Sequence, residues 1–238
     1  MNPKVIRIVG WCLTSIYEAL VYFVSFFPPI LVLYHFRALP IPVLCGLALA
    51  GYAFAGWVFL LLLVLTKRYL IGSLPTGNIA VSSKDGQRWF LAVFLMAMVN
   101  YSPFRSLLIG LSPLGPMFFR GMGARMPDST FMGQDTKLRD PWFLEMGEHV
   151  STGGEVLILG HVGHNQDLFL GKVIVGDDVV IGSRSIIFPD VHIGSHARVG
   201  AGAVVIRGTR IPDGEVWAGV PARKLERSKR QRHADPAG

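Results

Sequence analysis

A six-residue repeat occupies much of the C-terminal half of this 238-residue chain. Seven consecutive hexads begin with a β-branched residue, and glycine follows four of those residues. The seven leading residues are Val175, Ile181, Ile187, Ile193, Val199, Val205 and Ile211. Because 16 of the 44 residues from 173 to 216 are valine or isoleucine, seven in register by chance has a probability of roughly one in a thousand. A period of six is typical of neither a helix nor a simple strand alternation, so it predicts short strands joined by tight turns.

Three hexads make one triangular coil, and successive coils are expected to stack at the ~4.8 Å spacing of paired strands. Each leading residue then lies on the residue 18 positions later, as Val175 on Ile193 and Ile187 on Val205. These aliphatic ladders are the predicted core. A weaker hexad signal in the residues upstream, around 132 and 146, continues the pattern across an insertion at 139–143. The flat outer faces of such a stack favour oligomerisation.

The N-terminal part is apolar enough to cross a membrane twice. The whole chain is 51% hydrophobic with a mean hydropathy of +0.43, and only 16% of its residues are charged. Glu18 is the only acidic residue, and the only one with a fixed charge, in residues 8–36, and residues 38–66 carry no charge. Each stretch is also longer than the roughly 20 residues that a helix needs to span a bilayer. Basic residues flank this hairpin on both sides: Lys4, Arg7, Lys67 and Arg68. The positive-inside rule therefore places both ends, and everything after residue 67, in the cytosol.

A third apolar stretch covers residues 89–119 and is interrupted by Asn100, Pro103 and Arg105. It predicts two short helices that lie in the cytosolic interface or dip into it. A third crossing is the alternative, and it would place the rest of the chain outside the cell. Residues 73–86 are polar and rich in turn-forming residues, which predicts a loop.

The chain is therefore expected to be an α+β membrane protein with four parts. These are a transmembrane helical hairpin (1–68), a loop with interfacial or re-entrant helices (69–124), a β-helix (125–226) and a disordered basic tail (227–238). Its net charge of +7 indicates anionic partners such as phospholipid or a phosphorylated cofactor. Nucleic acid is not expected as a partner, because no recognition motif accompanies the charge.

The hexads, together with the segment IPDGEVWAGVPARKL at 211–225, resemble the hexapeptide-repeat acyltransferases, which include the galactoside, maltose and xenobiotic acetyltransferases. The preceding segment GLSPLGPMFFRGMGARM, at 110–126, is similar to the membrane-embedded branch of that superfamily. The resemblance implies a left-handed parallel β-helix, a homotrimer, and acyl-coenzyme A lying in clefts between neighbouring β-helices. Acetyl-CoA is the implied donor. The implied location is the bacterial inner (plasma) membrane, with the β-helix on its cytosolic side.

The repeat breaks between residues 159 and 173, and this break holds the candidate active site. In the soluble relatives that the chain resembles, a similar loop carries a histidine that acts as general base. His161 occupies the matching place, and His164 is the second candidate. Histidine can take a proton from a hydroxyl or amine and return it near neutral pH. The loop contains no cysteine, so direct attack of the acceptor on the thioester is expected.

The carboxylate that would orient the imidazole stays open at this stage. Glu148, Glu155 and Asp167 are candidates by proximity in the sequence alone.

The resemblance also implies where the acyl donor would bind. Backbone groups of the late hexads, at Ser183, Ala201 and Gly202, match positions along the pantetheine arm, and Gly219 in the AGVPAR segment is assigned to the same site. Arg207 and Arg223, with Lys224 as a weaker candidate, would contact the adenosine phosphates, because arginine presents a planar fork of fixed donors. No metal is expected.

Two other functions remain open. A zinc hydratase of the carbonic anhydrase type needs three converging histidines, and the spacings of the candidates do not reproduce the pattern expected there: His149, His161, His164, His192 and His196. A non-catalytic membrane scaffold would use the flat β-helix faces and bind no coenzyme A. For the acyltransferase, the apolar half predicts an amphiphilic or lipid-linked acceptor, delivered by the bilayer.

Overall fold

The structure, a computed structural model, describes residues 3–105, 114–164 and 167–226, with the backbone alone for residues 3–11 and 164. The second apolar helix ends in a π-helical turn, Lys67–Ile71. The α-helices in the described ranges are α1 (Pro3–His35), α2 (Ile41–Thr66), α3 (Lys84–Tyr101) and α4 (Leu114–Gly121). The strands are β1 (Gly77–Ala80), β2 (Phe131–Met132), β3 (Lys137–Leu138), β4 (Leu144–Met146), β5 (Ser151–Thr152), β6 (Leu157–Ile158), β7 (His161–His164), β8 (Asp167–Leu170), β9 (Val173–Val175), β10 (Val180–Ile181), β11 (Ile186–Ile187), β12 (Val191–Ile193), β13 (Arg198–Val199), β14 (Val204–Val205), β15 (Arg210–Ile211), β16 (Val216–Ala218) and β17 (Arg223–Lys224).

Two long apolar helices form a hairpin, as the sequence predicts. Within the described residues, two helical windows are long and apolar enough to cross a bilayer, Cys12–His35 and Ile41–Ile71. Their outer faces present large apolar side chains, with Leu49 72% exposed. Gly51 permits close packing of the two helices, since a Cβ there would lie 2.7 Å from the Cβ of Pro29.

The segment between the hairpin and the β-helix differs in part from the sequence prediction. Two helices are present, α3 and α4, while residues 106–113 of the predicted stretch lie outside the described residues. Helix α3 begins at Lys84, ahead of the apolar stretch, because the Ser83 hydroxyl accepts a hydrogen bond from the backbone N–H of Gly86 at 3.0 Å.

The predicted loop at 73–86 contains a strand. Strand β1 pairs antiparallel with β8, with Gly77 opposite Leu170 and Ala80 opposite Asp167. Strand β1 covers the edge of β8 that β7 leaves unpaired, because an extended segment that reaches an open strand edge can hydrogen-bond to it. The prediction of a loop was wrong for these four residues, because the pairing depends on a strand far along the chain.

The repeat folds as a triangular parallel β-helix with the predicted register. Its three sheets have the strand orders β17-β16-β13-β10-β5-β2, β14-β11-β6-β3 and β15-β12-β9-β4. Val175 lies opposite Ile193 and Ile187 lies opposite Val205, one coil apart. All seven leading residues of the hexads are at most 3% exposed. The upstream hexad signal is also confirmed, since Met146 lies opposite Val175.

The hairpin of β7 and β8 leaves the coil between β6 and β9 and joins β1 in a separate three-stranded sheet. Beneath it lies a small cluster of buried apolar side chains: Trp89, Phe143, Leu168 and Leu170. A second, larger cluster runs without interruption from the helices, through Phe104 and Met122, into the aliphatic ladders. The helices therefore pack directly on the β-helix and reach the hairpin that holds the candidate base.

Candidate active site

His161 is the first residue of β7, at the corner where the hairpin leaves the coil. Its Nδ1 lies 2.6 Å from Oδ2 of Asp140, whose side chain is completely buried, whereas the His161 side chain is 24% exposed. A carboxylate accepts hydrogen bonds and cannot donate them, so Nδ1 carries the proton and Nε2 is left as the acceptor. This is the tautomer that a general base needs.

Asp140 is held by two further donors. The backbone N–H of Gly160 donates to Oδ2 and the indole N–H of Trp89 donates to Oδ1, each at 2.9 Å. A buried carboxylate is costly unless its lone pairs are satisfied, and here both oxygens have donors. Asp140 also begins a 3-10 turn, Pro141–Phe143, and its carbonyl accepts from Phe143 N–H. The acid is therefore fixed by backbone and side chain together.

Gly160 is required by the same packing. A Cβ at this position would lie 2.8 Å from the Cβ of Asp140 and 2.8 Å from Cδ2 of Phe143. Both distances are far shorter than normal carbon contacts. The Gly-His pair at the break in the repeat is thus explained by the close approach of the 3-10 turn.

Trp89 links the helical layer to the imidazole. Its ring meets that of His161 in an edge-to-face arrangement, with centroids 4.8 Å apart and planes at 65°. Trp89 lies on α3 and is only 9% exposed. One side chain of this helix therefore both donates to Asp140 and packs against the ring that Asp140 orients, which restricts the imidazole to one orientation.

The carboxylates suggested by sequence proximity lie elsewhere. Glu148 accepts from the Ser129 hydroxyl, Glu155 pairs with Arg184, and Asp167 begins β8, opposite His164. Sequence reasoning missed Asp140, although it sits in the insertion that interrupts the early repeat. The side chain of His164, the second candidate base, lies outside the described residues.

Most of the predicted donor-binding residues form one exposed stack. Ser183, Ala201 and Gly219 follow β10, β13 and β16, which belong to one sheet, so they lie above one another at one corner of the coil. Gly202 extends the same stack, because its N–H donates to the Ser183 carbonyl at 2.8 Å. Gly202 and Gly219 have φ values of +68° and +93°, a region that favours glycine.

Arg223 lies beside this stack, in β17 opposite Ala218. Its neighbour Lys224 pairs with Glu215. The hydrogen bonds from Lys224 and from the Trp217 indole, which stabilise the ionised carboxylate, lower the pKa of Glu215. Lys224 is thus engaged with a carboxylate, which makes it a weaker candidate for a phosphate contact.

Arg207 stands at a different corner, together with the candidate base. It follows β14, which shares a sheet with β6, so it projects at the corner from which the His161 hairpin departs. Its guanidinium carbon lies 4.2 Å from the centroid of the Phe169 ring in β8. Within one chain, Arg207 lies beside the hairpin of β7 and β8, whereas the Ser183 stack lies at another corner of the coil.

The remaining histidines do not converge with His161. His149 and His196 both approach Asp178, with Nδ1–Oδ distances of 3.7 and 3.5 Å, and His192 points outward from β12. Over the described ranges, no group of three His, Cys, Asp or Glu side chains is arranged to hold a metal ion.

Comparisons with known proteins agree with the repeat. The sequence pattern of the bacterial transferase hexapeptide family (six repeats) matches residues 172–207. A delta-poly-L-ornithine synthetase of Acinetobacter baumannii (strain AB307-0294) is 27% identical over 183 residues, which are 75% of this chain and 13% of that protein. The match is long enough to include part of the apolar half of the chain as well as the β-helix.

Three further matches cover smaller parts of the chain. The galactoside O-acetyltransferase of Escherichia coli (strain K12) is 28% identical over 50% of this chain and 62% of its own length. A galactoside acetyltransferase solved in complex with coenzyme A aligns with 65% of this chain and 88% of its own, at 20% identity and a TM-score of 0.40. Gamma carbonic anhydrase 1 of Arabidopsis thaliana is 37% identical over 33% of this chain and 27% of its own length.

The chain thus spans less than two thirds of the curated relatives described above. The residues that match the hexapeptide family, 172–207, lie within the stacked parallel strands of the triangular β-helix, so the sequence match and the strand pairing agree on a hexapeptide-repeat β-helix there.

Proposed function

We propose that this chain is a membrane-bound acyltransferase that moves an acetyl group from acetyl-CoA to a hydroxyl or amine of an amphiphilic or lipid-linked acceptor. The observation that carries the proposal is the Asp140–His161 pair, whose 2.6 Å contact engages Nδ1 and leaves Nε2 as the acceptor, at the point where the repeat opens. The similarity to an O-acetyltransferase supports the choice of an acetyl donor and an oxygen acceptor.

The chemistry is a direct displacement. His161 Nε2 takes the proton of the acceptor while the acceptor oxygen or nitrogen attacks the thioester carbonyl carbon. The carbon–sulfur bond then breaks, and the imidazolium returns its proton to the departing thiolate, so that coenzyme A leaves as the thiol. Asp140 stabilises the imidazolium in between, since its buried carboxyl group lies 2.6 Å from Nδ1.

The donor is proposed to bind along exposed surfaces of the β-helix. Arg207 is fixed on Phe169 at the edge of the hairpin, where its guanidinium is available to a phosphate. The stack of Ser183, Ala201 and Gly219, with Arg223 beside it, offers backbone groups at another corner. Arg207 and the Ser183 stack lie at different corners of one β-helix. We therefore propose a homotrimer, in which one molecule of coenzyme A lies between neighbouring β-helices and contacts one corner of each.

The acceptor is proposed to arrive from the bilayer. The hairpin of α1 and α2 carries large exposed apolar side chains along its length, including Ile16 at 65% and Leu49 at 72%. Exposure of this extent suits contact with lipid. Helix α3 packs against the helical hairpin, and its Trp89 ring contacts His161. The base therefore lies close to the layer where a lipid-linked molecule would present its polar head. The proposed location is the bacterial inner membrane, with the β-helix in the cytosol.

The test is loss of transfer without loss of donor binding. We expect His161→Ala to reduce acetyl transfer by about 10²–10⁴-fold while the affinity for coenzyme A, measured by calorimetry, stays within about twofold. The matched control is His192→Ala, which removes an exposed histidine from β12 and should leave the rate unchanged. Full activity of His161→Ala would refute the role of this residue, and absence of coenzyme A binding to the wild type would favour a scaffold.

The similarity to a gamma carbonic anhydrase supports one second candidate, a zinc-dependent hydratase on the same β-helix. It requires three nitrogen or oxygen ligands around zinc. Metal analysis of the purified protein distinguishes the two functions, because the hydratase should retain about one zinc per chain and lose its activity on chelation.

A further inference from the structure

A basic pocket lies at the end of the second apolar helix, beside the C-terminal end of α4. Its volume is about 380 Å³, and it opens between the π-helical turn and the start of the β-helix. Three cationic side chains line it, Lys67, Arg68 and Arg120, together with the Trp142 ring and the backbone at Gly123. Among the residues that the structure describes, none of those lining the pocket is acidic.

Lys67 is the buried cation of this pocket. The residue is 5% exposed, and its Nζ donates to the carbonyl of Gly72 at 2.6 Å and lies 5.3 Å from the centroid of the Trp142 ring. The π-helical turn brings Gly72 back next to Lys67, because the Gly72 N–H donates to the Lys67 carbonyl. An ammonium has three donors. In the described part of the chain, Lys67 has no carboxylate partner, so an anion would neutralise a charge that burial makes costly.

The two arginines add donors at the rim. Arg68 is exposed, and within the described ranges it forms no ion pair. One nitrogen of Arg120, Nη1, contacts Asp128 and the Met126 carbonyl, and its side chain is 38% exposed. Arginine carries five N–H donors, so the remaining nitrogens of Arg120 can still contact a ligand. Three cations around one small cavity match the charge and the several acceptor oxygens of a phosphate group.

The pocket lies where phosphates of a membrane are expected. Helix α2 has 26 residues and is about 39 Å long at 1.5 Å per residue, which exceeds the ~30 Å hydrocarbon layer. Its C-terminal end, where Lys67 and Arg68 follow, therefore falls at the level of the headgroups. The pocket is also close to the base, because Trp142 belongs to the 3-10 turn that begins with Asp140.

We propose that this basic pocket binds the phosphate of a lipid-linked acceptor, a phosphodiester or diphosphate that joins an apolar chain to the group to be acetylated. The inference rests on the proposed function for the identity of the ligand as an acceptor. The Lys67 ammonium would meet the phosphate in the buried part of the cavity, with Arg68 and Arg120 at its rim, while the apolar chain stays beside α2 in the bilayer. The group to be acetylated would then extend past the 3-10 turn that contains Trp142, toward His161.

The test is equilibrium binding of a radiolabelled polyprenyl monophosphate to the purified full-length chain in detergent, with unlabelled competitors. We expect Arg68→Gln and Arg120→Gln each to weaken binding about tenfold, the usual loss for one charge-assisted contact. Arg37→Gln is the matched control, because Arg37 lies in the turn at the opposite end of the hairpin and the net charge changes equally. Lys67→Arg, which keeps the buried charge, should bind better than Lys67→Gln.

The competitors separate the sources of phosphate. Competition by the unlabelled polyprenyl phosphate at much lower concentration than by inorganic phosphate or phosphatidate supports a dedicated acceptor site. Equal losses in Arg37→Gln and Arg68→Gln, or displacement of the label by coenzyme A, would overturn the proposal. Coenzyme A binding is measured on the same samples. Intact coenzyme A binding without polyprenyl phosphate binding would refute the pocket and leave the acyltransferase proposal standing.

Discussion

Replacing Asp140 with asparagine tests the orientation of the base with almost no change in shape. The carboxylate accepts from three donors, the Trp89 indole at 2.9 Å, the Gly160 N–H at 2.9 Å and His161 Nδ1 at 2.6 Å. An amide has one accepting side and one donating side. In either orientation at least one buried donor therefore faces the amide NH₂, and we expect the free energy of unfolding to fall by about 1–3 kcal/mol.

The effect on catalysis depends on which side faces the ring. If the NH₂ group faces His161, Nδ1 must accept, the proton moves to Nε2, and the base is lost. The same NH₂ would then also oppose the Gly160 N–H, because both groups contact Oδ2 in the wild type. Even in the other orientation, the negative charge that stabilises the imidazolium is absent. We expect kcat to fall by about 10³–10⁴-fold, the scale known for this exchange in catalytic triads, with little change in coenzyme A affinity.

A second substitution predicts a partial rescue. Trp89→Phe removes the donor that opposes the amide when its oxygen faces His161, and it retains an aromatic ring beside the imidazole. An opposition of about 1–3 kcal/mol shifts the two orientations by roughly 5- to 150-fold. The double variant should therefore be at least about fivefold more active than Asp140→Asn alone.

The assay is thioester consumption at saturating acetyl-CoA, with thermal unfolding measured on each variant to confirm that it is folded. A wild-type kcat for Asp140→Asn would refute the orienting role of Asp140. Rate losses that simply add in the double variant would refute the hydrogen-bond reasoning, because they would show that Trp89 does not control the orientation of the side chain at 140.

Two further predictions concern the β-helix. Ile187→Ala should lower the free energy of unfolding by about 2–5 kcal/mol in a denaturant titration, since Ile187 is fully buried in an aliphatic ladder. Val180 is 40% exposed, so Val180→Ala should lower it by less than about 1 kcal/mol in the same titration. The lowered pKa of Glu215, caused by hydrogen bonds from Lys224 and Trp217, gives a contribution to stability that is present above the ordinary pKa near 4.5 and lost as the pH falls through the folded value. Limited proteolysis of the C-terminal strand should increase over that acidic range in the wild type, and Glu215→Gln should abolish this pH dependence; an unchanged pH profile would contradict the assignment.

The β-helix could be predicted from the sequence because its code is local and repeated. Every hexad must bury its leading side chain against the residue 18 positions away, so a period of six in valine and isoleucine carries the register with it. The observed pairs, such as Ile181 opposite Val199, follow from that period alone. The apolar helices were equally predictable, since length and lack of charge are read directly from the chain.

The partners of the base were not predictable in the same way. Asp140 is 21 residues from His161 and Trp89 is a further 51 residues from Asp140, and no period relates the three. Asp140 lies in an insertion, where the six-residue period does not apply. Trp89, at the start of an apolar stretch, is typical of an interfacial anchor. Only the tertiary packing of α3 against the hairpin of β7 and β8 brings them together, and strand β1 was missed because it pairs with β8, far along the chain.

The most direct test of the acyltransferase account is a transfer experiment in lipid. The chain is reconstituted in vesicles that contain a lipid-linked acceptor, given acetyl-CoA with a labelled acetyl group, and extracted with organic solvent. Label should appear in the lipid fraction, together with one free thiol per acetyl group transferred, and His161→Ala should reduce both by at least about 100-fold. Label that stays in the water-soluble donor, or an equal rate of lipid labelling in His161→Ala, would contradict it.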